Sequence, residues 1–130
     1  MILFDTSVVI DFFRAQEVSI LDTILQHEAA ICGITRAEVL HGARDATHRQ
    51  RLIAVLDLFQ AVPLPDSIWD AVGLNLASLR ANGVTVPLAD AVIATVAASN
   101  GIAFWTRDTH FERIQAVLTA LVLFDQPVRE

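Results

Sequence analysis

The chain contains no lysine: its nine basic side chains are all arginine, set against fifteen acidic ones, for a formal net charge of −6 over 130 residues. A chain this acidic is a poor nonspecific binder of nucleic acid, so a polyanionic ligand has to be met by a local site. Cysteine is nearly absent as well. The single Cys32, in an apolar stretch, excludes an internal disulfide and a thiolate metal site and reads as a buried structural thiol. No hydrophobic run is long enough to cross a bilayer, because the densest, 86–98, is interrupted by Pro87 and Asp90. The opening Met1-Ile-Leu-Phe-Asp5 has no basic segment and meets an acid at once, unlike a signal peptide; a cytoplasmic protein without membrane contact is expected. The four histidines, His27, His41, His48 and His110, lack H-x-x-x-H or comparable spacing, which disfavours a zinc enzyme and leaves them at the surface or in support of other ligands. Hairpin dipeptides between strands, internal repeats and low-complexity linkers are missing too.

What is present is apolar. Hydrophobic residues make up 54% of the chain and the mean hydropathy is +0.51, so exposed apolar surface covered by a partner is expected. The length predicts one domain over 1–130. An apolar run at 2–4 stops at Asp5-Thr6-Ser7, after which Val8, Val9, Phe12 and Phe13 recur at helical spacing: strand, turn, helix. Helical spacing continues over 20–26, residues 29–34 read as a second strand broken by Gly33, and Thr35-Arg36-Ala37-Glu38 opens a helix. An apolar period of 3.6 over 46–61 predicts an amphipathic helix, and 62–64 a short edge strand. Asp66 is placed to cap a helix through Trp69, Val72, Leu76 and Leu79 that ends at Asn82-Gly83. Pro87 starts a helix that stops at Asn100-Gly101, 102–105 form a strand, 110–118 a helix and 121–124 a last strand. Trp69 and Trp105 both fall in apolar patterns and are expected in the core. The alternation of strands and helices predicts the α/β class, with a mainly parallel sheet covered by helices on both faces.

In such a sheet, ligands bind outside the carboxyl ends of the strands. Asp5 ends the first strand and Asp108 follows the strand at 102–105, while Glu38 and Asp90 lie in the first turns of helices entering at that edge. Each has an ordinary alternative. Asp5 and Asp108 could initiate turns, Asp108 with Arg107 as a local partner. Glu38 completes a capping box, Thr35-x-x-Glu38. Asp90 could complement a helix N-terminus, a surface effect of about 0.3–1 kcal/mol. Its helix, however, is apolar almost all round, and no Lys or Arg occurs from 81 to 105. Burying an unpaired carboxylate costs several kcal/mol, so Asp90 calls for a cation. Four converging carboxylates repel one another and make sense chiefly around a hard divalent ion, Mg²⁺ or Mn²⁺. Asp11 could face solvent or the rim of this cluster, and Asp22, Asp57, Asp70 and Glu112 fall on solvated helix faces. Arginines such as Arg36, Arg44, Arg49, Arg51 and Arg107 carry planar forks that suit phosphate, though any one of them taken alone reads more readily as a solvated residue on a helix face.

Four segments together resemble the PIN-domain nucleases, and more closely the VapC-type toxins of toxin–antitoxin pairs: ILFDTSVVIDFF around Asp5, ITRAEVLHGA around Glu38, PLADAVIATVA around Asp90 and FWTRDTHFERI around Asp108. The resemblance covers nearly the whole chain. It implies a single-domain α/β/α sandwich, an Mg²⁺- or Mn²⁺-dependent endoribonuclease acting on RNA, a homodimer, and inhibition by a small cognate antitoxin. It also implies roles for Asp5 and Asp90 as direct metal ligands, for Glu38 and Asp108 as ligands directly or through water, and for Ser7 and Thr106 as hydroxyls supporting them.

Other α/β readings fit less well. A phospho-acceptor receiver domain needs a lysine to sense its phosphoryl group, and a haloacid-dehalogenase-like phosphatase needs Asp-x-Asp where Ser7 stands. A noncatalytic binding module accounts for the apolar surplus but not for Asp90.

Overall fold

The structure, a computed structural model, describes residues 1–125. The last five residues of the expected domain, 126–130, lie outside the described residues. In chain order the elements are β1 (Ile2–Phe4), α1 (Thr6–Ala15), α2 (Val18–Gln26), β2 (Ala29–Cys32), α3 (Gly33–His41), α4 (Ala46–Leu56), β3 (Gln60–Val62), α5 (Ile68–Ala81), α6 (Leu88–Asn100), β4 (Ala103–Trp105) and α7 (His110–Val117). The strands form one sheet of order β3-β2-β1-β4, every neighbour pair parallel. The register aligns Leu3 with Ala30 on one side and Phe104 on the other.

Side chains alternate across the pleat, so β1, β2 and β4 each feed two cores. Leu3, Ala30 and Phe104 join Val72, Leu79, Val92, Val96, Phe111 and Ile114, from α5, α6 and α7. Ile2, Phe4, Ile31 and Trp105 join Val8, Val9, Ile20, Val39, Leu52 and Leu56, from α1 to α4. Helices therefore cover both faces, as the strand–helix alternation predicts. The reading of α6 as a buried helix, apolar almost all round, holds: Ala91 to Ala97, Thr95 included, are all buried.

Several boundaries differ from the sequence expectation. Gly33 does not break a strand; β2 ends at Cys32 and Gly33 opens α3. The helix begun at Ala46 stops at Leu56, where Leu58 and Phe59 turn back on the carbonyls of Val55 and Leu56. The edge strand is Gln60–Val62 and not 62–64, because Pro63 has no N–H to continue the ladder. The expected cap from Asp66 is not made; Ser67 precedes the first turn of α5, without a side-chain cap bond. Residues 121–124 contribute one parallel bridge, Leu123 with Phe104, flanked by two backbone bonds that extend the sheet beyond β4. Trp105 is fully buried, whereas Trp69 is 47% exposed, since the core face of α5 is taken by Ile68, Val72 and Leu79.

Candidate active site

β1 lies between β2 and β4, so the chain winds outward from it in both directions, and the crevice at the carboxyl ends of β1 and β4 is where such sheets bind ligands. Asp5 stands there, directly after β1. Its N–H continues the parallel pairing to the Trp105 carbonyl at 2.8 Å, and its side chain is buried, 6% exposed. It does not cap α1; instead Oδ2 accepts the Ser7 hydroxyl at 2.8 Å and the Thr106 hydroxyl at 2.7 Å. The next chain segment is tied on in turn, the Arg107 N–H donating to Ser7 Oγ and the Asp108 N–H to Thr106 Oγ1.

Glu38 is not part of a capping box. α3 begins at Gly33, which puts Thr35 inside the helix, where its hydroxyl donates to the Phe4 carbonyl. Glu38 is exposed, and its Oε1 accepts the Thr6 hydroxyl at 2.8 Å, next to Asp5. Asp90, in the first turn of α6, is partly buried, and its Oδ2 meets His110 Nε2 at 2.7 Å. The other ring nitrogen, Nδ1, lies against Oδ1 of Asp108, so His110 bridges two carboxylates. Sequence reasoning placed the histidines only generally and missed Thr6; the hydroxyls flanking Asp5 were the one local signal.

Electrostatics follow the geometry. Burial pushes the Asp90 carboxyl above its ordinary value; the His110 bond opposes this, and the nearby charges of Asp5 and Asp108 add to it. Burial works against the charged His110 ring, but its bonds to Asp108 and Asp90 outweigh that and raise it above 6.5. Asp5 and Asp108 therefore both sit within electrostatic reach of Asp90. Among the described residues, no three acidic, histidine or cysteine groups form a ready-made metal cage. The donor chemistry nevertheless fits a hard cation. Each of the four carboxylates is held through one oxygen, Asp5 Oδ2, Glu38 Oε1, Asp90 Oδ2 and Asp108 Oδ1, and its other oxygen takes no hydrogen bond from a described group.

A model of the PIN domain matches residues 2–117. The chain belongs to the PIN-domain family. This PIN domain is 30% identical to Ribonuclease VapC1 of Methanocaldococcus jannaschii over 115 residues, 88% of this chain and 81% of that protein. It superposes on VapBC2 from Rickettsia felis, solved with a promoter DNA fragment, with a TM-score of 0.84 at 18% identity, covering 98% of this chain and 100% of the other. VapBC-1 from nontypeable Haemophilus influenzae gives 0.81 at 21% identity, covering 96% and 98%. The α/β fold is thus that of the PIN domain.

The arginines of this PIN domain divide. Arg107 turns away from Asp108: its side chain, 9% exposed, lies on Glu17 and Asp11. Asp11 accordingly faces this pair and not the carboxylate rim. Arg36 pairs with Asp57 at 2.9 Å on the surface. Arg44, with Arg14, lines a groove of 480 Å³ that reaches Glu38, while Arg49 and Arg51 are exposed on α4.

Proposed function

We propose that this chain is a divalent-metal-dependent endoribonuclease, the toxin of a VapBC-type pair, with Asp5, Glu38, Asp90 and Asp108 holding Mg²⁺ or Mn²⁺. The observation that carries the reading is the four-carboxylate arrangement, each acid anchored by one oxygen and leaving the other for a cation. Kinship with a named ribonuclease supports RNA as the substrate, and likeness to VapBC proteins supports a small cognate antitoxin as partner. Leucines left on the surface, Leu25, Leu58 and Leu74, are available to such a partner or to a second copy in a homodimer. No helix among the described residues is long and apolar enough to cross a membrane, and a cytoplasmic setting is part of the proposal.

A bound divalent ion would activate water for attack on a phosphodiester and stabilise the charge that develops. The protein's own contribution is orientation. Ser7 and Thr106 direct two hydroxyls at Oδ2 of Asp5 and so fix the direction of its free oxygen; Thr6 does the same for Glu38. His110 holds Asp90 and Asp108 together and offsets their mutual repulsion until a cation takes over that task. Total RNA incubated with purified protein under Mg²⁺, Mn²⁺ or EDTA, beside Asp5→Ala and Asp90→Ala, tests the reading. Discrete metal-dependent products, lost in both folded variants, are expected; no cleavage with either ion, and no metal-induced rise in melting temperature, would overturn it.

A further inference from the structure

The segment Thr106-Arg107-Asp108 carries two groups of the carboxylate site, and between them sits a nearly buried guanidinium turned to the other side. Arg107 forks onto Glu17, Nη1 to Oε1 at 3.0 Å and Nη2 to Oε2 at 2.7 Å, and Nη1 also meets Asp11 Oδ2 at 2.8 Å. Glu17 is itself only 13% exposed. One residue earlier, Gln16 adopts a left-handed backbone with φ 48°, a conformation that non-glycine residues hold only where the surroundings impose it. The left-handed turn delivers Glu17 to Arg107. Buried ion pairs are weak contributors to stability, so stability alone gives little reason for this one. Its location does: the Arg107 backbone N–H donates to Ser7, which donates to Asp5, and the flanking residues supply the Thr106 hydroxyl and Asp108.

We propose that the Arg107 fork on Glu17 and Asp11 is a positioning device for the cation site: by locking residues 106–108 to α1 and the start of α2, it holds Thr106 against Asp5 and Asp108 beside Asp90. The proposal rests on the carboxylates being a divalent-cation site. In it Arg107 and Glu17 touch neither cation nor RNA, and act only by setting where the ligands stand.

The test uses the full chain with Glu17→Gln, which weakens the fork but leaves Asp11 to Arg107, and Arg107→Lys, which keeps the charge and loses the planar pair. Mn²⁺ affinity is measured by calorimetry and by the spin signal of free Mn²⁺, and amide hydrogen exchange is followed in EDTA. Glu17→Gln is expected to weaken Mn²⁺ binding by about 10- to 100-fold, the usual effect of losing a ligand-orienting partner. Arg107→Lys should show the same defect. In EDTA the Arg107 and Asp108 amides should exchange faster while those of Leu3 and Phe4 keep their protection. Cleavage should recover at saturating Mn²⁺, with KM for RNA unchanged. Mn²⁺ affinity within about twofold of wild type in both variants, even with a lowered melting temperature, would overturn the proposal and leave the nuclease reading standing. Wild-type protein that binds no Mn²⁺, or that Asp5→Asn matches, would overturn both.

Discussion

Asp5 and Asp90 are more buried than Glu38 and Asp108, and replacement of either should be felt in chemistry before stability. Asp5→Asn and Asp90→Asn are expected to lower metal-dependent cleavage by more than about 100-fold, beyond the range typical of ligand-supporting residues, measured on one RNA at fixed Mn²⁺. Thr106→Val, which removes one of two hydroxyls on Asp5 Oδ2, should fall within about 10- to 100-fold. The His110 bridge makes a separate prediction for the metal-free protein. Its folded pKa lies above 6.5, so the stability it contributes is whole below that value and is lost as the pH rises through the raised one. Asp90, raised above 3.8, has the same sign at lower pH. In EDTA, the melting temperature should therefore decline as the pH climbs above 6.5, and His110→Gln should flatten that decline; an unchanged slope would remove the bridge from the account.

At the scale of elements, two glycines, one just past a helix and one inside another, make opposite predictions. Gly101 ends α6 at φ 63°, and its N–H closes on the Ala97 and Ala98 carbonyls, so the chain can turn into β4. Nothing lies within 4 Å of an added Cβ. The cost of Gly101→Ala is therefore purely conformational, about 1–2 kcal/mol by chemical denaturation. Gly73, inside α5 on an exposed face, also has open space around it. Gly73→Ala should stabilise by about 0.5–1 kcal/mol, because alanine loses less backbone freedom on folding. α6 itself shows why Asp90 stands where it does. A helix buried from Ala91 to Ala97 is held rigidly against the sheet, and the first turn of a rigid helix is a precise place from which to present a carboxylate.

For the whole molecule, a cation that binds only the folded chain must shift the unfolding equilibrium. Saturation with Mn²⁺ at 100 times its dissociation constant should raise stability by about 2.7 kcal/mol, a rise of roughly 10 °C in melting temperature at about 4 °C per kcal/mol for a chain of this size. Asp90→Asn should lose most of that shift while folding normally in EDTA. The charge balance is one that the proposed ion would relieve. Net charge is −6, and in the crevice Asp90 feels the charges of both Asp5 and Asp108, with His110 bonded there to Asp90 and Asp108. With Arg107 committed to Glu17 and Asp11, no arginine neutralises that crevice from within the described site, and Arg14 and Arg44 reach only its Glu38 side, through the neighbouring groove.

The linear chain by itself determined the class of fold and singled out the four acids of the proposed site. Short apolar runs ending in Asp5 and shortly before Asp108 place carboxylates at strand ends, and an apolar helix with one acid and no basic neighbour marks Asp90, because period and burial are local properties of sequence. The end of a strand at Cys32, the exposure of Trp69 and the unmade capping box at Thr35 were decided by packing, which assigns faces only once neighbouring elements exist. The same holds for the contacts that orient the site. Thr6 meets Glu38 across 32 positions, His110 meets Asp90 across 20, and Arg107 meets Glu17 across 90. No local pattern encodes such a pairing. Arg107 adjoins Asp108 in the chain, and only the closing of α1 and α2 over the sheet turns its guanidinium away from that neighbour toward Glu17, where two nearly buried carboxylate oxygens offer a better match to its fork than one exposed aspartate.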